Sequence, residues 1–363
     1  MKNIVVLVCL LSSFSLSAKM NKELPWHGKN LEALTNHFAT WKKEKGKKYA
    51  AFDWDNTMVK NDVGNAFFYW MLTHDLIKTQ ANWKDSSTYL SKKALEELNT
   101  HCPFNQTSPV LQTSTNIACL DLLLSISESH LSKKEDKAFD ESKYNANLVE
   151  PSYAFVAQLL QGYSPSEIQK IARQMKKFQL GNDIGYEEKI GSKMVDGYIR
   201  YYDQMKDLVK EFKANKFQVY IISASAQPIV EVFAEEVGID AKHVIGIRQI
   251  IKDKKITTTF EACEGNNDLI SYREGKRCWL KKVVNAPMTF AAGDSDTDFQ
   301  FVSDATDLRL VINRNKAELM CHAYGDTDGK WIINPMFIKA KAKKATPYEC
   351  EAFGLANQED KVF

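Results

Sequence analysis

The sequence predicts an α/β protein built on a doubly wound, Rossmann-like parallel sheet, interrupted by an inserted and mainly helical second unit. Apolar runs at residues 49–52, 217–222 and 288–292 each end in an acidic or hydroxyl-bearing turn. Strands read this way when helices cover both faces of a parallel sheet, because almost every side chain is then buried. Helical periodicity lies between the runs: Met205, Leu208, Val209 and Phe212 precede the second, and residues 228–237 follow it. Such alternation is the pattern of α/β architecture. A length of 363 residues exceeds one ordinary compact domain and suggests about two.

The first eighteen residues join Lys2, an apolar stretch from Ile4 to Leu11 and the small-residue ending Ser15-Leu16-Ser17-Ala18. Those are the three regions of an export signal, so residues 1–18 are expected to be removed and the mature chain to be periplasmic or secreted. No later run approaches the roughly 20 apolar residues that a spanning helix needs, and no membrane span is expected in the mature chain. A net charge of +2 with 26% charged residues points neither to disorder nor to a nucleic-acid partner. Oligomeric state has no sequence signal.

Beyond Cys9 six cysteines remain, ordered as Cys102 with Cys119, Cys263 with Cys278, and Cys321 with Cys350. An exported chain with an even cysteine count holds disulfides as a rule; six cysteines allow fifteen pairings. Local pairing in that order is the expectation. A metal cluster is the rival, and it lacks any C-x-x-C spacing.

Residues 62–197 separate the first strand from the second and carry helical rather than strand patterning, so they are expected to form the helical cap. The sheet domain would then comprise residues 19–61 and 198–345, followed by a tail at 346–363. Within the cap, Ser164-Pro165-Ser166-Glu167 is a helix start with a capping serine, proline in the first turn and a glutamate closing a capping box. Ile168, Ile171, Ala172 and Met175 continue it as an apolar stripe. The consecutive aromatics Phe67, Phe68, Tyr69 and Trp70 point all around a helix, so at most one or two can face a ligand. Aromatic faces attract quaternary ammonium groups.

In doubly wound sheets ligands bind at the carboxyl ends of the strands, which brings Asp53, Asp55, Ser223 and Asp294 to one edge. Asp53 needs no deprotonation step to act as a nucleophile toward phosphorus. Asp55, two residues on, suits proton transfer to a leaving alkoxide and then from water. The string Gly293-Asp294-Ser295-Asp296-Thr297-Asp298 supplies hard oxygen ligands that favour Mg²⁺ around a phosphate, with Asp294 the first candidate. As a calcium loop it lacks the glycine and the glutamate of the EF-hand pattern. Ser223 can donate its hydroxyl to a phosphoryl oxygen, helped by N–H groups at the following helix start. A serine nucleophile is the competing role, but no G-x-S-x-G elbow surrounds it. Lys276 could offset phosphoryl charge.

In order along the chain, Asp53-x-Asp55-Asn56-Thr57, Ser223, Lys276 and Gly293-Asp294-Ser295-x-x-Asp298 resemble the four motifs of haloacid dehalogenase superfamily phosphatases. The resemblance spans about residues 48–304. It is similar above all to the phosphoserine phosphatase branch, with a helical cap after the first motif and a β-hairpin, fitted by residues 246–272, before the motif lysine. A weaker similarity of layout links it to secreted bacterial phosphorylcholine phosphatases. The resemblance implies Asp53 as nucleophile, Asp55 as acid/base, Ser223 and Lys276 as phosphate ligands, and Asp53, the Asp55 backbone carbonyl and Asp294 around Mg²⁺. Asp298 would support the metal through water or orient the lysine.

Asp55 separates this chain from dehalogenases, which lack the second acid, and from transport ATPases, which carry threonine there. Two departures weigh against serine as substrate alcohol. Ala224 and Ser225 follow Ser223 where that branch has Gly-Gly, and Asp62 stands where it often has a glutamate contacting substrate. Asp62 could meet an ammonium group or simply start a helix. The expectation is an exported, Mg²⁺-dependent phosphomonoesterase acting on a small phosphorylated metabolite, an amine or alcohol phosphate such as phosphorylcholine. A phosphotransferase or phosphomutase, and a non-catalytic binding protein on the same scaffold, are the alternatives.

Overall fold

A computed structural model describes residues 19–356; the export-signal expectation for residues 1–18 lies outside them. The chain opens with α1 (Asn30–Trp41), β1 (Lys48–Phe52), β2 (Val59–Lys60) and α2 (Val63–Thr73). The inserted segment continues with α3 (Lys92–His101), α4 (Ile117–Ser127), α5 (Pro151–Gln158) and α6 (Pro165–Gly181), then β3 (Glu187–Ile190), β4 (Lys193–Asp196) and β5 (Arg200–Tyr201). From α7 (Asp203–Ala214) the chain returns to the sheet through β6 (Phe217–Ala226), α8 (Gln227–Ala234) and β7 (Val244–Ile247). The hairpin β8 (Gln249–Lys252) and β9 (Lys255–Phe260) leads to α9 (Glu274–Val284) and β10 (Phe290–Gly293). Next come α10 (Phe299–Ser303), β11 (Leu308–Asn313), α11 (Ala317–Gly325) and β12 (Trp331–Pro335).

Six strands form one parallel sheet in the order β12-β11-β10-β1-β6-β7. The fold is therefore doubly wound, as expected, with β1 at its centre. Along β1 the side chains alternate between two cores. Ala50 and Phe52 pack into the larger cluster, whereas Ala51 faces the opposite side with Tyr220, Ile222 and Trp279. Phe52 sits 5.3 Å from Phe290 and 5.7 Å from Phe212, ring centre to ring centre. Both faces are dry, which explains the absence of polar alternation in the sequence. The strands β7, β11 and β12 are additional to the three expected from the apolar runs.

Helices inserted between β1 and β6 form a cap over the carboxyl edge of the sheet. The α6 start is the expected capping box: the Glu167 N–H donates to Ser164 Oγ, and the Ser164 N–H donates back to the Glu167 carboxylate at 2.6 Å. Ile168, Ala172 and Met175 are buried beneath it. Among the described residues no helix is long and apolar enough to cross a membrane.

Three disulfides join Cys102 to Cys119, Cys263 to Cys278 and Cys321 to Cys350, the local pairing expected. Such bonds persist in an oxidising, non-cytoplasmic environment. The first ties the end of α3 to the start of α4. Closing a loop of that length stabilises by about 3 kcal/mol in the chain-entropy model. Replacing Cys102 and Cys119 together with serine should lower the urea unfolding free energy by about 2 to 4 kcal/mol; an unchanged midpoint in denaturant titration would mean that cap packing alone holds these helices.

Candidate active site

The register of the sheet aligns the site. Phe52 pairs with Ile221 on β6 and with Ala292 on β10, so the chain leaves three neighbouring strands at one level. Asp53, Ser223 and Asp294 then stand side by side at the edge. The Asp53 N–H still donates to the Ala292 carbonyl at 2.9 Å, which prolongs β1 by one bond and holds the Asp53 backbone still. After it the chain turns sharply: the Trp54 carbonyl accepts from the Met58 N–H at 2.8 Å, and Asn56 takes a left-handed φ of 62°. Asparagine tolerates that region better than most residues with a β-carbon.

Lys276 is 1% exposed. Its ammonium donates to Asp53 Oδ1 at 2.5 Å and to Asp298 Oδ1 at 2.6 Å. Burial works against its charge, but Asp298 and Asp53 outweigh that and hold its pKa above the ordinary lysine range. The second Asp298 oxygen accepts from the backbone N–H groups of Asp294 and Ser295, both at 3.0 Å. Asp298 thus orients the lysine and braces the loop that carries Asp294. Gly293 permits this closeness, because a β-carbon there would lie 2.6 Å from Asp298 Cβ.

The carboxyl of Asp53 is pushed well above its usual range by burial and by Asp298, with Lys276 opposing. Asp294 is raised too, by burial, against the pull of Arg314. Its oxygens accept from Thr57 Oγ1 at 2.8 Å and from the Arg314 guanidinium at 2.7 Å. Asp53, Asp294 and Asp298 offer carboxylate oxygens within 4.8 Å of one another, all buried. Three acids crowded this closely in low dielectric disfavour their own charges, and a divalent cation relieves that repulsion. Hard oxygen donors of this kind suit Mg²⁺, so the donor set fits the metal expected.

Asp55 points away from this cluster. Its Oδ1 accepts from the Val63 N–H at 2.7 Å; its Oδ2 accepts from Ser225 Oγ at 2.7 Å and from Ser223 Oγ at 3.3 Å. Burial and the neighbouring Asp62 nevertheless raise its pKa well above the usual range. Its carboxylate is not among the three acids whose oxygens cluster, which are those of Asp53, Asp294 and Asp298. Asp62 caps α2, accepting from the Asn65 N–H at 2.8 Å, and its pKa is raised by burial against the pull of that bond and of Arg314.

A cavity of about 80 Å³ opens over these groups, lined by Asp53, Asp55, Asp62, Lys276 and Asp294. Its apolar wall comes from Phe67 of α2, Val156 and Leu160 of α5 and its sequel, and Ile229 of α8. Of the four consecutive aromatics only Phe67 reaches it. Ser223 is fully buried beneath, and Ser225, two residues further along the same edge, lines the cavity while donating its hydroxyl to Asp55. In the sequence Ser225 stands out only as a departure from a Gly-Gly pattern. Arg314, immediately after β11, and Tyr153 also line the cavity. Sequence reasoning missed both. Arg314 follows β11, whose apolar run is broken by Arg309 and so gives a weak strand signal.

A sequence profile described as haloacid dehalogenase-like hydrolase matches residues 132–303, somewhat under half of the chain. That span contains Ser223, Lys276, Asp294 and Asp298 but not the turn with Asp53 and Asp55, which the sheet register supplies. A search of curated proteins returns no match. A conserved, functionally unknown protein from Anaerococcus prevotii is similar over 87% of this chain and 94% of its own, with 21% identity and a TM-score of 0.58. A protein of unknown function from Bordetella pertussis covers 80% of this chain and 99% of its own at 14% identity, TM-score 0.48. A phosphoserine phosphohydrolase-like protein from Francisella tularensis covers 73% and 86% at 14% identity, TM-score 0.36. Together with the sheet and cap, the matched profile identifies the fold as that of haloacid dehalogenase-like hydrolases.

Gly275 seats α9 and therefore Lys276: a β-carbon at Gly275 would lie 1.6 Å from the Ile270 carbonyl oxygen. Gly275→Ala should destabilise by about 3 kcal/mol, read as a lower urea midpoint. An unaltered midpoint would show that the start of α9 can shift without loss.

Proposed function

We propose that this chain is an exported, Mg²⁺-dependent phosphomonoesterase that hydrolyses a small phosphorylated alcohol through an aspartyl-phosphate on Asp53. The observation that carries this reading is the buried Lys276 ammonium held between Asp53 Oδ1 and Asp298 Oδ1, directly beside Asp294. It leaves the second Asp53 oxygen for attack and keeps a positive charge where phosphoryl charge would gather.

In this mechanism Asp53 attacks phosphorus in line while the bond from phosphorus to the leaving oxygen breaks. Asp55, in its acid form, protonates that oxygen. The same group, now a carboxylate, takes a proton from water as the water attacks phosphorus; the bond to Asp53 breaks, and phosphate leaves. The raised pKa of Asp55 suits a group that must hold a proton in one step and accept one in the next. Ser225 and Ser223, both donating to Asp55, keep its carboxyl aimed. Lys276 offsets charge on the phosphoryl oxygens. Mg²⁺, held by Asp53, Asp294 and the Asp55 backbone carbonyl, would offset repulsion between the Asp53 carboxylate and the anionic phosphate.

Export is supported by the signal-like residues 1–18 and by the three disulfides. The cap faces the leaving group through Asp62, Phe67 and Tyr153, so selection among alcohols belongs there.

Phosphate release from phenyl phosphate should fall about 10⁴-fold or more in Asp53→Asn, and chelation of the parent protein should abolish turnover until Mg²⁺ is restored. Undiminished release by the variant would sink the covalent mechanism. The pH dependence follows from the sign of the Asp55 shift. Its acid form is needed first, so kcat/KM should decline as pH rises through its raised pKa. That alkaline limb should vanish in Asp55→Asn at a much lower rate; a limb retained in the variant would assign the proton to another group.

A further inference from the structure

A second chamber, of about 290 Å³, adjoins the catalytic cavity and shares Asp62, Asn65 and Arg314 with it. Lys60, Lys341 and Arg314 line it. Lys60 is the informative member, because it is only 7% exposed and its ammonium has no carboxylate within ion-pair distance among the described residues. Its one polar contact is Met336 Sδ at 3.9 Å, and a thioether is a weak acceptor. A buried ammonium without a counter-charge is costly, and here the neighbours add to the cost. Burial lowers the Lys60 pKa, and Lys341, Arg314 and Lys339 lower it further, with Asp196 opposing. The other acid on the chamber wall, Asp62, is already engaged in capping α2. Contrast Lys276, more deeply buried and satisfied twice over.

We propose that this chamber receives a second anionic group, a carboxylate or phosphate carried on the leaving alcohol, so that the substrate is a phosphomonoester with an anion at each end. The proposal rests on the phosphomonoesterase reading above and names its substrate class. The reacting phosphate lies at Asp53, and the far anion lies between Lys60 and Lys341. Arg314, common to both chambers, stands at the passage. It donates to Asp294 at 2.7 Å. A choline-type alcohol, expected from the sequence, would bring its positive charge to these cations and is disfavoured.

Glycerol 3-phosphate and 3-phosphoglycerate test this, since their leaving groups are alike in size and differ by one carboxylate. The parent protein should prefer 3-phosphoglycerate in kcat/KM by roughly 10- to 100-fold, the range of one charge-assisted hydrogen bond. Lys60→Met, close in volume, should erase most of that preference and leave glycerol 3-phosphate turnover unchanged. Lys341→Ala, at an exposed position, should reduce the preference in the same direction. Equal turnover of both compounds, a preference that survives Lys60→Met, or a preference for phosphorylcholine over both would overturn the proposal.

Sodium sulfate at constant ionic strength separates a free anion from one carried on the substrate. Competition with 3-phosphoglycerate that weakens in Lys60→Met supports the chamber as a substrate subsite. Sulfate that alters glycerol 3-phosphate turnover, with no preference for 3-phosphoglycerate, overturns it in favour of a free effector. If no phosphomonoester is hydrolysed, phenyl phosphate included, the activity reading fails by itself. The chamber is then judged by calorimetric titration of 3-phosphoglycerate into the Mg²⁺-loaded protein: tighter binding to the parent than to Lys60→Met supports it, and equal binding overturns it.

Discussion

The ammonium of Lys276, enclosed between Asp53 and Asp298, is the contact on which the rest of the site depends. Taking one cation and two carboxylates out of water is expensive, and close geometry with further hydrogen bonds is what compensates. Those further bonds are present: Asp298 spends its other oxygen on two backbone N–H groups of the loop after β10. The contact joins three separate pieces of chain, namely the end of β1, the start of α9 and the turn after β10. Each piece has a small residue or a left-handed turn where a bulkier side chain or an extended path would separate the charges.

The two buried lysines of this region show how burial alone says little about role. Lys276 is neutralised by its surroundings, so its environment is complete without a ligand. Lys60 has three cations and a sulfur atom near it and, among the described residues, no carboxylate within ion-pair distance, Asp196 acting only from further off, so its environment is incomplete. Burial of an ammonium therefore marks a satisfied ion-pair network in one case and an unmet electrostatic demand in the other.

Much of the fold was legible because parallel strands buried on both faces leave nearly continuous apolar runs, and β1, β6 and β10 were read from them. The strands β7, β11 and β12 were not, because Gly246 interrupts the first and arginine, asparagine and proline break the apolar run of the others. The local cysteine pairs and the Ser164 capping box depend on short-range spacing, which a sequence displays directly. Asp53, Asp55, Ser223 and Asp294 meet at the carboxyl edge as their positions at strand ends suggest, whereas Lys276 and Asp298 stand out in the sequence chiefly through the family resemblance. Arg314, Tyr153 and Lys60 were invisible: each matters through what faces it across the cleft, and nothing in the local sequence of a lysine or an arginine reports the absence or presence of a partner.

The position of β1 has a consequence for how the molecule is made. Its two neighbours, β6 and β10, lie beyond the whole inserted cap in the chain. As the chain is threaded amino end first, the strand that ends in Asp53 emerges early and stays unpaired until the cap has followed it. Long-range parallel pairing of this kind is intrinsically slow. The cap, with its own short-range disulfide between Cys102 and Cys119, can order before the sheet closes. The acidic cluster cannot form until Lys276, Asp294 and Asp298 have followed, so a nascent or truncated chain carries the Asp53 turn without the lysine and the acids that give it meaning.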